Sequence, residues 1–199
     1  MTLRLDLGSG PRPEPGFQGV DRSRSNVDGV WTPQYMVDFS SGEPWPFDDD
    51  SVDELRSSHL IEHIPSMDAC EWVRGREKLI DPGHAWERRH ETFKDLLFHF
   101  FDEAFRVIKP GGKFEVRWPA LINERTGEMN LTAFQDPTHR RFIPLKTFHY
   151  FSRSGREALG VAQYNVTCNW VMESRVQAAA GDGGHDDFLE YRAVLRAEK

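Results

Sequence analysis

The residues best suited to chemistry are acids placed where apolar runs end, histidines set beside carboxylates, and a pair of glycines flanking a serine. Asp6 lies in the alternating run Leu3-Arg4-Leu5-Asp6-Leu7, which meets Gly8-Ser9-Gly10. Glycines lack a Cβ, so the chain can turn sharply there and a ligand can press against the backbone. Asp21 follows Phe17-Gln18-Gly19-Val20. A carboxylate at that strand tip suits the paired hydroxyls of a ribose. Asp38 and Phe39 close Tyr35-Met36-Val37. They offer a carboxylate for an exocyclic amine and a ring for the face of adenine, or else a solvated loop acid. His59 precedes Glu62 and His63, and His139 follows Asp136. Imidazole titrates near neutrality, so His139, oriented by Asp136, and His59 are candidate bases.

Such groups need a scaffold that brings strand tips together. Alternation predicts strands at 3–7, 17–20 with Asp21 at its tip, 35–39 and 52–58, the last running into a short helix that Pro65 closes. Phe93, Leu96, Leu97, Phe100, Phe101, Ala104, Phe105 and Ile108 share one helical face, which predicts a helix over 92–109 stopped by Pro110-Gly111-Gly112. Lys113 to Trp118 reads as a fifth strand. Leu145, Phe148 and Phe151 mark a short amphipathic helix within a long connection. Tyr164, Val166, Cys168, Trp170 and Met172 alternate, as do Leu189, Tyr191, Ala193 and Leu195 beyond a Gly-Asp-Gly-Gly turn, so the chain ends in a hairpin. Residues 66–91 mix Trp72 and Trp86 with five basic residues. They read either as a lid or substrate arm, or as a helical excursion with a solvated charged face.

Composition narrows the function classes. The 199 residues suit a single domain with a proper core, here one unit over 1–199. A net charge of −7 gives no general attraction to nucleic acid or anionic lipid. Cys70 and Cys168 are the sole cysteines, which argues for a reducing compartment, and the cytoplasm is the expected location. No apolar run is long enough to span a membrane. A dinucleotide fingerprint would need glycine at position 13, where Pro13 stands, and no P-loop Lys-Ser or Lys-Thr follows the glycines.

Taken together, these motifs resemble those of class I S-adenosylmethionine-dependent methyltransferases. Leu5-Asp6-Leu7-Gly8-Ser9-Gly10 is similar to their first motif, and Asp21 to the acid after their second strand. Pro46 to Glu54, then Ser58-His59-Leu60-Ile61-Glu62-His63-Ile64, and Phe105 to Gly112 resemble the type-11 branch. The proline-rich loop after Gly10 and Gln135-Asp136-Pro137-Thr138-His139 resemble small bacterial and phage methyltransferase-like proteins. The resemblance spans nearly the whole chain. It implies a Rossmann-like α/β fold: a mainly parallel seven-stranded sheet with helices on both faces and a C-terminal antiparallel hairpin. It implies S-adenosylmethionine as cofactor. Asp6, Gly8, Ser9 and Gly10 would border its methionine end, Asp21 its ribose, and Asp38 with Phe39 its adenine. Backbone near Ser58 and His59 would complete the methionine pocket.

Two features depart from that pattern. Residues 11–16 are too few for a helical crossover between parallel strands, and the 66–91 segment is longer than the branch usually shows. There is no Asn-Pro-Pro-Tyr tetrapeptide, which disfavours a DNA amino-methyltransferase. The acceptor expected is a small molecule, with no membrane or nucleic-acid partner, and no metal is expected. Two other readings stand beside this one. The chain could hold the cofactor without transferring methyl. Alternatively His59-x-x-Glu62-His63 matches an inverted zinc-peptidase motif, which belongs inside a long helix that Pro65 forbids here.

Overall fold

The computed structural model describes residues 2–22, 32–65, 95–161, 164, 166–179 and 189–199. The 66–91 segment, expected as a lid, substrate arm or helical excursion, lies outside the described residues. The strands are β1 (Arg4–Leu7), β2 (Gln18–Asp21), β3 (Tyr35–Met36), β4 (Val52–Ser58), β5 (Ile108–Pro119), β6 (Trp170–Ala179) and β7 (Leu189–Ala197). The described helices are α1 (Leu96–Val107) and α2 (Arg153–Leu159), with short 3-10 segments at Ile61–His63, Leu131–Phe134 and Leu145–Phe151.

All seven strands form one sheet in the order β3-β2-β1-β4-β5-β7-β6. Neighbours from β3 to β5 are parallel, and β7 runs antiparallel to both β5 and β6. The expected mixed sheet with its terminal antiparallel strands is therefore present. This order leaves β1 and β4 side by side in the middle. Their carboxyl ends, Leu7 and Ser58, open on the same edge of the sheet, where ligands of open α/β sheets bind.

One face of the sheet is apolar. Phe114, Val116 and Trp118 alternate along β5 and are buried beneath α1 and the Leu145–Phe151 segment. Phe101 of α1 stacks on Phe151 with centroids 3.9 Å apart, and Trp118 lies 4.6 Å from Phe148. On the opposite face an ionic ladder crosses the strands. Arg4 pairs with Glu54, and Arg56 reaches Asp6, Glu14 and Glu115. Residues 11–17 fold over this ladder without any helix, as their length demanded. Glu14 joins Asp6 and Arg56, and the Arg4 guanidinium sits 4.2 Å from the Phe17 ring centroid.

Several boundaries differ from expectation, and β3 already stops at Met36, short of the expected Phe39. α1 ends at Val107, and Ile108 is already extended, with φ −75° and ψ 145°. Pro110 limits the helix here, because it disfavours helix at Lys109 and has no N–H to continue the helix ladder. Lys109 therefore lies in β5, where it pairs with Asp53 at 2.6 Å. β5 begins at Ile108 instead of Lys113. The excursion at Pro110-Gly111-Gly112 is taken up by a register shift opposite Val52 and Glu54. β6 begins at Trp170 and not near Tyr164, because the N–H groups of Thr167 and Cys168 go to the buried Asp102 carboxylate of α1.

Candidate functional site

The turn after β1 is closed by backbone. Gly8 donates its N–H to the Val20 carbonyl at 2.8 Å. Gly8 has φ +69°, and a Cβ there would come within 2.9 Å of Leu60. Gly10 has φ +54° with nothing within 4 Å of the place a Cβ would take, so its outer side is open. The Ser9 hydroxyl donates to the Gly10 carbonyl at 3.1 Å, and a Cβ on Gly19 would lie 2.7 Å from it. A side chain at Gly19 would therefore displace the Ser9 hydroxyl from the turn.

Asp21 ends β2 beside this turn. Its Oδ2 accepts the Gly10 N–H at 3.0 Å and its Oδ1 accepts the Arg22 N–H at 2.7 Å. Each carboxylate oxygen keeps a second lone pair, which fits the two hydroxyls of a ribose. Asp38 is exposed, and Ser40 holds it with both its N–H and its hydroxyl. The Ser40 hydroxyl leads the forces that put the Asp38 carboxyl below its ordinary 3.8. The Phe39 ring, in contrast, points inward. It is 7% exposed and meets Trp45 and Phe100 edge-on, so it buttresses the Asp38 loop from the core and has no free face for an adenine.

Asp6 is buried beneath the turn. Its Oδ2 accepts the Glu14 N–H at 2.8 Å, and Arg56 lies 3.3 Å away. Burial outweighs these partners and raises its carboxyl above 3.8. Asp6 anchors the 11–17 loop and so shapes the site from below.

At the tip of β4, Ser58 pairs with Arg117, and His59 takes up φ +54°, a left-handed conformation uncommon for a residue with a side chain. The His59 ring is clamped between two buried carboxylates. Nδ1 donates to Glu62 at 3.2 Å and Nε2 to Glu190 at 2.7 Å. Burial alone pushes the imidazole down. The hydrogen bonds to Glu190 and Glu62, with their charges, reverse this and lift it to about 9. His59 is therefore a held cation near neutral pH, with no lone pair to take a proton, which corrects its expected role as a base. The same clamp disposes of the inverted zinc motif. Both ring nitrogens of His59 are engaged, and the segment is one 3-10 turn and no long helix. Glu190, set in an alternating terminal strand, carried no signal of its role.

His139 stands on a separate loop that docks onto this turn. Arg140 and Arg141 both donate N–H groups to the Glu62 carbonyl, at 2.8 and 3.0 Å. The His139 Nδ1 donates to the Ala133 carbonyl at 2.9 Å, which leaves Nε2 with the lone pair. That Nε2 lies 3.8 Å from Asp136 Oδ2 and 4.0 Å from Glu62 Oε1. Asp136 spends its Oδ1 on the N–H and hydroxyl of Thr138, and these bonds hold its carboxyl below 3.8. The fold thus brings His139 to Glu62 and His63, a meeting of segments far apart in the chain.

A cavity of about 560 Å³ lies elsewhere, lined by Leu145, Phe148, His149, Trp170, Met172 and Leu195 among others. Its lining comes from the Leu145–Phe151 segment, α2, β6 and β7, and includes none of the candidate site residues. No described helix is long and apolar enough to cross a membrane.

No family model matches the chain, and no curated protein does. Solved structures match it over nearly all its length. The YcgJ protein of Bacillus subtilis aligns with a TM-score of 0.53 at 15% identity, over 100% of this chain and 92% of that one. A SAM-dependent methyltransferase of Methanosarcina mazei aligns at 0.52 and 12%, over 98% and 92%. Another from Archaeoglobus fulgidus aligns at 0.52 and 13%, over 98% and 86%. With its strand order and its antiparallel β7, the chain has the fold of the class I S-adenosylmethionine-dependent methyltransferases.

Proposed function

We propose that the protein transfers a methyl group from S-adenosylmethionine to a small-molecule acceptor. The observation that carries this is the joined strand-tip unit: an open-sided Gly10 hydrogen-bonded to Asp21, beside the β4 tip at Ser58 and His59. When bound, the cofactor supplies a methyl carbon on a sulfonium, with a neutral thioether as leaving group.

The chain's own task is then to hold and align. Asp21 takes the ribose hydroxyls through its remaining lone pairs, and Asp38 takes the adenine amine without help from Phe39. The turn at Gly8, Ser9 and Gly10 lets the cofactor approach the backbone, and the main chain at Ser58 and His59 borders its methionine end. The clamp on His59 by Glu62 and Glu190 keeps that border in one conformation. His139, oriented through its Nδ1 by the Ala133 carbonyl and not by Asp136, presents its Nε2 lone pair on the acceptor side. Holding the nucleophile in line with the methyl–sulfur bond is the main catalytic contribution expected of such a site.

Calorimetric titration with S-adenosylhomocysteine tests the reading. Micromolar binding that weakens sharply in Asp21→Ala supports it, and well-folded protein that binds none overturns it. Binding without product release across a broad acceptor screen would instead indicate a cofactor-holding protein.

A further inference from the structure

Glu62, His63 and His139 each direct a ligand atom into one small volume, all within 4.8 Å of one another. We propose that these three side chains form a binding site for a divalent transition metal of the zinc class. This inference does not rest on the methyltransferase reading.

The first argument is the state of Glu62. The residue is 2% exposed, and its Oε1 is held by His59. Its Oε2 is buried and has no hydrogen-bond partner. A buried carboxylate oxygen without a partner is costly, and native proteins rarely leave one. A cation between Glu62 and the two imidazoles removes that cost.

The second argument is the preparation of the histidines. Both rings have their Nδ1 occupied by acceptors: His139 by the Ala133 carbonyl at 2.9 Å, and His63 by the Thr138 carbonyl at 3.3 Å and the Thr138 hydroxyl oxygen at 3.1 Å, whose own proton goes to Asp136. A carbonyl only accepts, so Nδ1 carries the proton in each ring and Nε2 keeps the lone pair. This outer bond fixes the tautomer and orientation that metal-ligating histidines usually have. The two rings meet edge-on with centroids 4.9 Å apart.

The third argument is how the site is held together. His63 belongs to the turn after β4 and His139 to the loop after Leu131–Phe134. Main-chain bonds from Arg140 and Arg141 to the Glu62 carbonyl join these segments. The Arg141 side chain adds bonds to the Ile64 and Pro65 carbonyls and to Asp95. The frame is set before any ion arrives.

Donor chemistry selects the ion. Two imidazoles and one carboxylate suit zinc and its neighbours, whereas magnesium and calcium take oxygen ligands. Bonds of about 2.0–2.1 Å would place tetrahedral ligands roughly 3.4 Å apart, so the side chains must draw in by about 1 Å. Three protein ligands leave a fourth position for water or an acceptor oxygen. In the metal-loaded protein the His139 Nε2 is a ligand, so its lone pair is no longer offered to the acceptor.

The test titrates metal-free full-length protein with zinc sulfate alone, by calorimetry and chelator competition, with cobalt as an absorbing substitute. The expected result is one equivalent bound below micromolar Kd, with a tetrahedral cobalt spectrum. His63→Ala and His139→Ala are each expected to weaken binding by about 100-fold or more, while His149→Ala, outside the cluster, leaves it unchanged. His63 is partly exposed, so its variant keeps the fold, which circular dichroism verifies. Wild-type protein that binds no zinc overturns the proposal, as does unchanged affinity in the folded His63→Ala variant.

Discussion

Gly10 donates its backbone N–H to Asp21 Oδ2 at 3.0 Å, so the turn after β1 and the tip of β2 are one hydrogen-bonded unit. Asp21 therefore has two tasks: it holds the turn and it faces the proposed ribose. Asp21→Asn keeps the shape and one acceptor oxygen but loses the charge. Hydrogen bonds to charged groups contribute about 1.5–3 kcal/mol, so S-adenosylhomocysteine affinity should fall by roughly 10- to 100-fold. Calorimetry on the folded variant reads this. A loss confined to thermal stability, with affinity intact, would leave Asp21 with only its structural task.

Gly8 and Gly10 both have positive φ but differ in their surroundings. Gly8→Ala carries left-handed strain of about 1–2 kcal/mol and also a clash with Leu60, so it should lower the melting temperature clearly. Gly10→Ala carries the strain alone, because its added methyl meets open space. Its penalty should fall mainly on cofactor binding, since that open space is where the ligand is placed. Thermal melts and S-adenosylhomocysteine titrations of the pair separate the two effects. Equal destabilisation with equal affinity loss would contradict the assignment.

Asp102 draws a stretch of chain out of the sheet. Its buried carboxylate accepts the N–H groups of Thr167 and Cys168, the latter at 2.7 Å. Asp102→Ala takes this acceptor from the buried Cys168 N–H, at a cost of about 1–3 kcal/mol, and from the partly buried Thr167 N–H as well. Denaturant unfolding should show destabilisation of at least about 2 kcal/mol. A smaller loss would mean that the segment finds other acceptors.

Strand tips were legible in the sequence because they obey local rules. Acids at 6, 21 and 38 follow alternating apolar runs, and glycines follow the first of them. What an acid touches is decided by distant residues. Asp6 is spent on Glu14 and Arg56, and Glu190, from the last strand, reaches His59 across the sheet edge. The inward turn of Phe39 depends on Trp45 and Phe100, so no local pattern announces it. The His63–His139 meeting likewise depends on main-chain bonds to the Glu62 carbonyl. The α1–β5 boundary was legible in principle, since Pro110 acts on its neighbour, but the apolar period running on to Ile108 masked it.

Glu103 gives the fold a dependence on acid. Its carboxylate accepts the Trp45 N–H at 2.7 Å and pairs with Arg106, tying α1 to the loop before β4. Burial pushes the Glu103 carboxyl up, but Arg106 and the Trp45 N–H outweigh this and bring it below its ordinary 4.5. A carboxyl lower in the folded than in the unfolded chain contributes stability that is full above about pH 4.5 and is lost as pH falls through the folded value. Wild-type stability should therefore decline on the acid side, and Glu103→Gln, which cannot titrate, should show a shallower decline from a lower plateau. Unfolding free energies measured from pH 6 down to about pH 3 check this. Parallel curves for the two proteins would show that Glu103 has no part in the acid response.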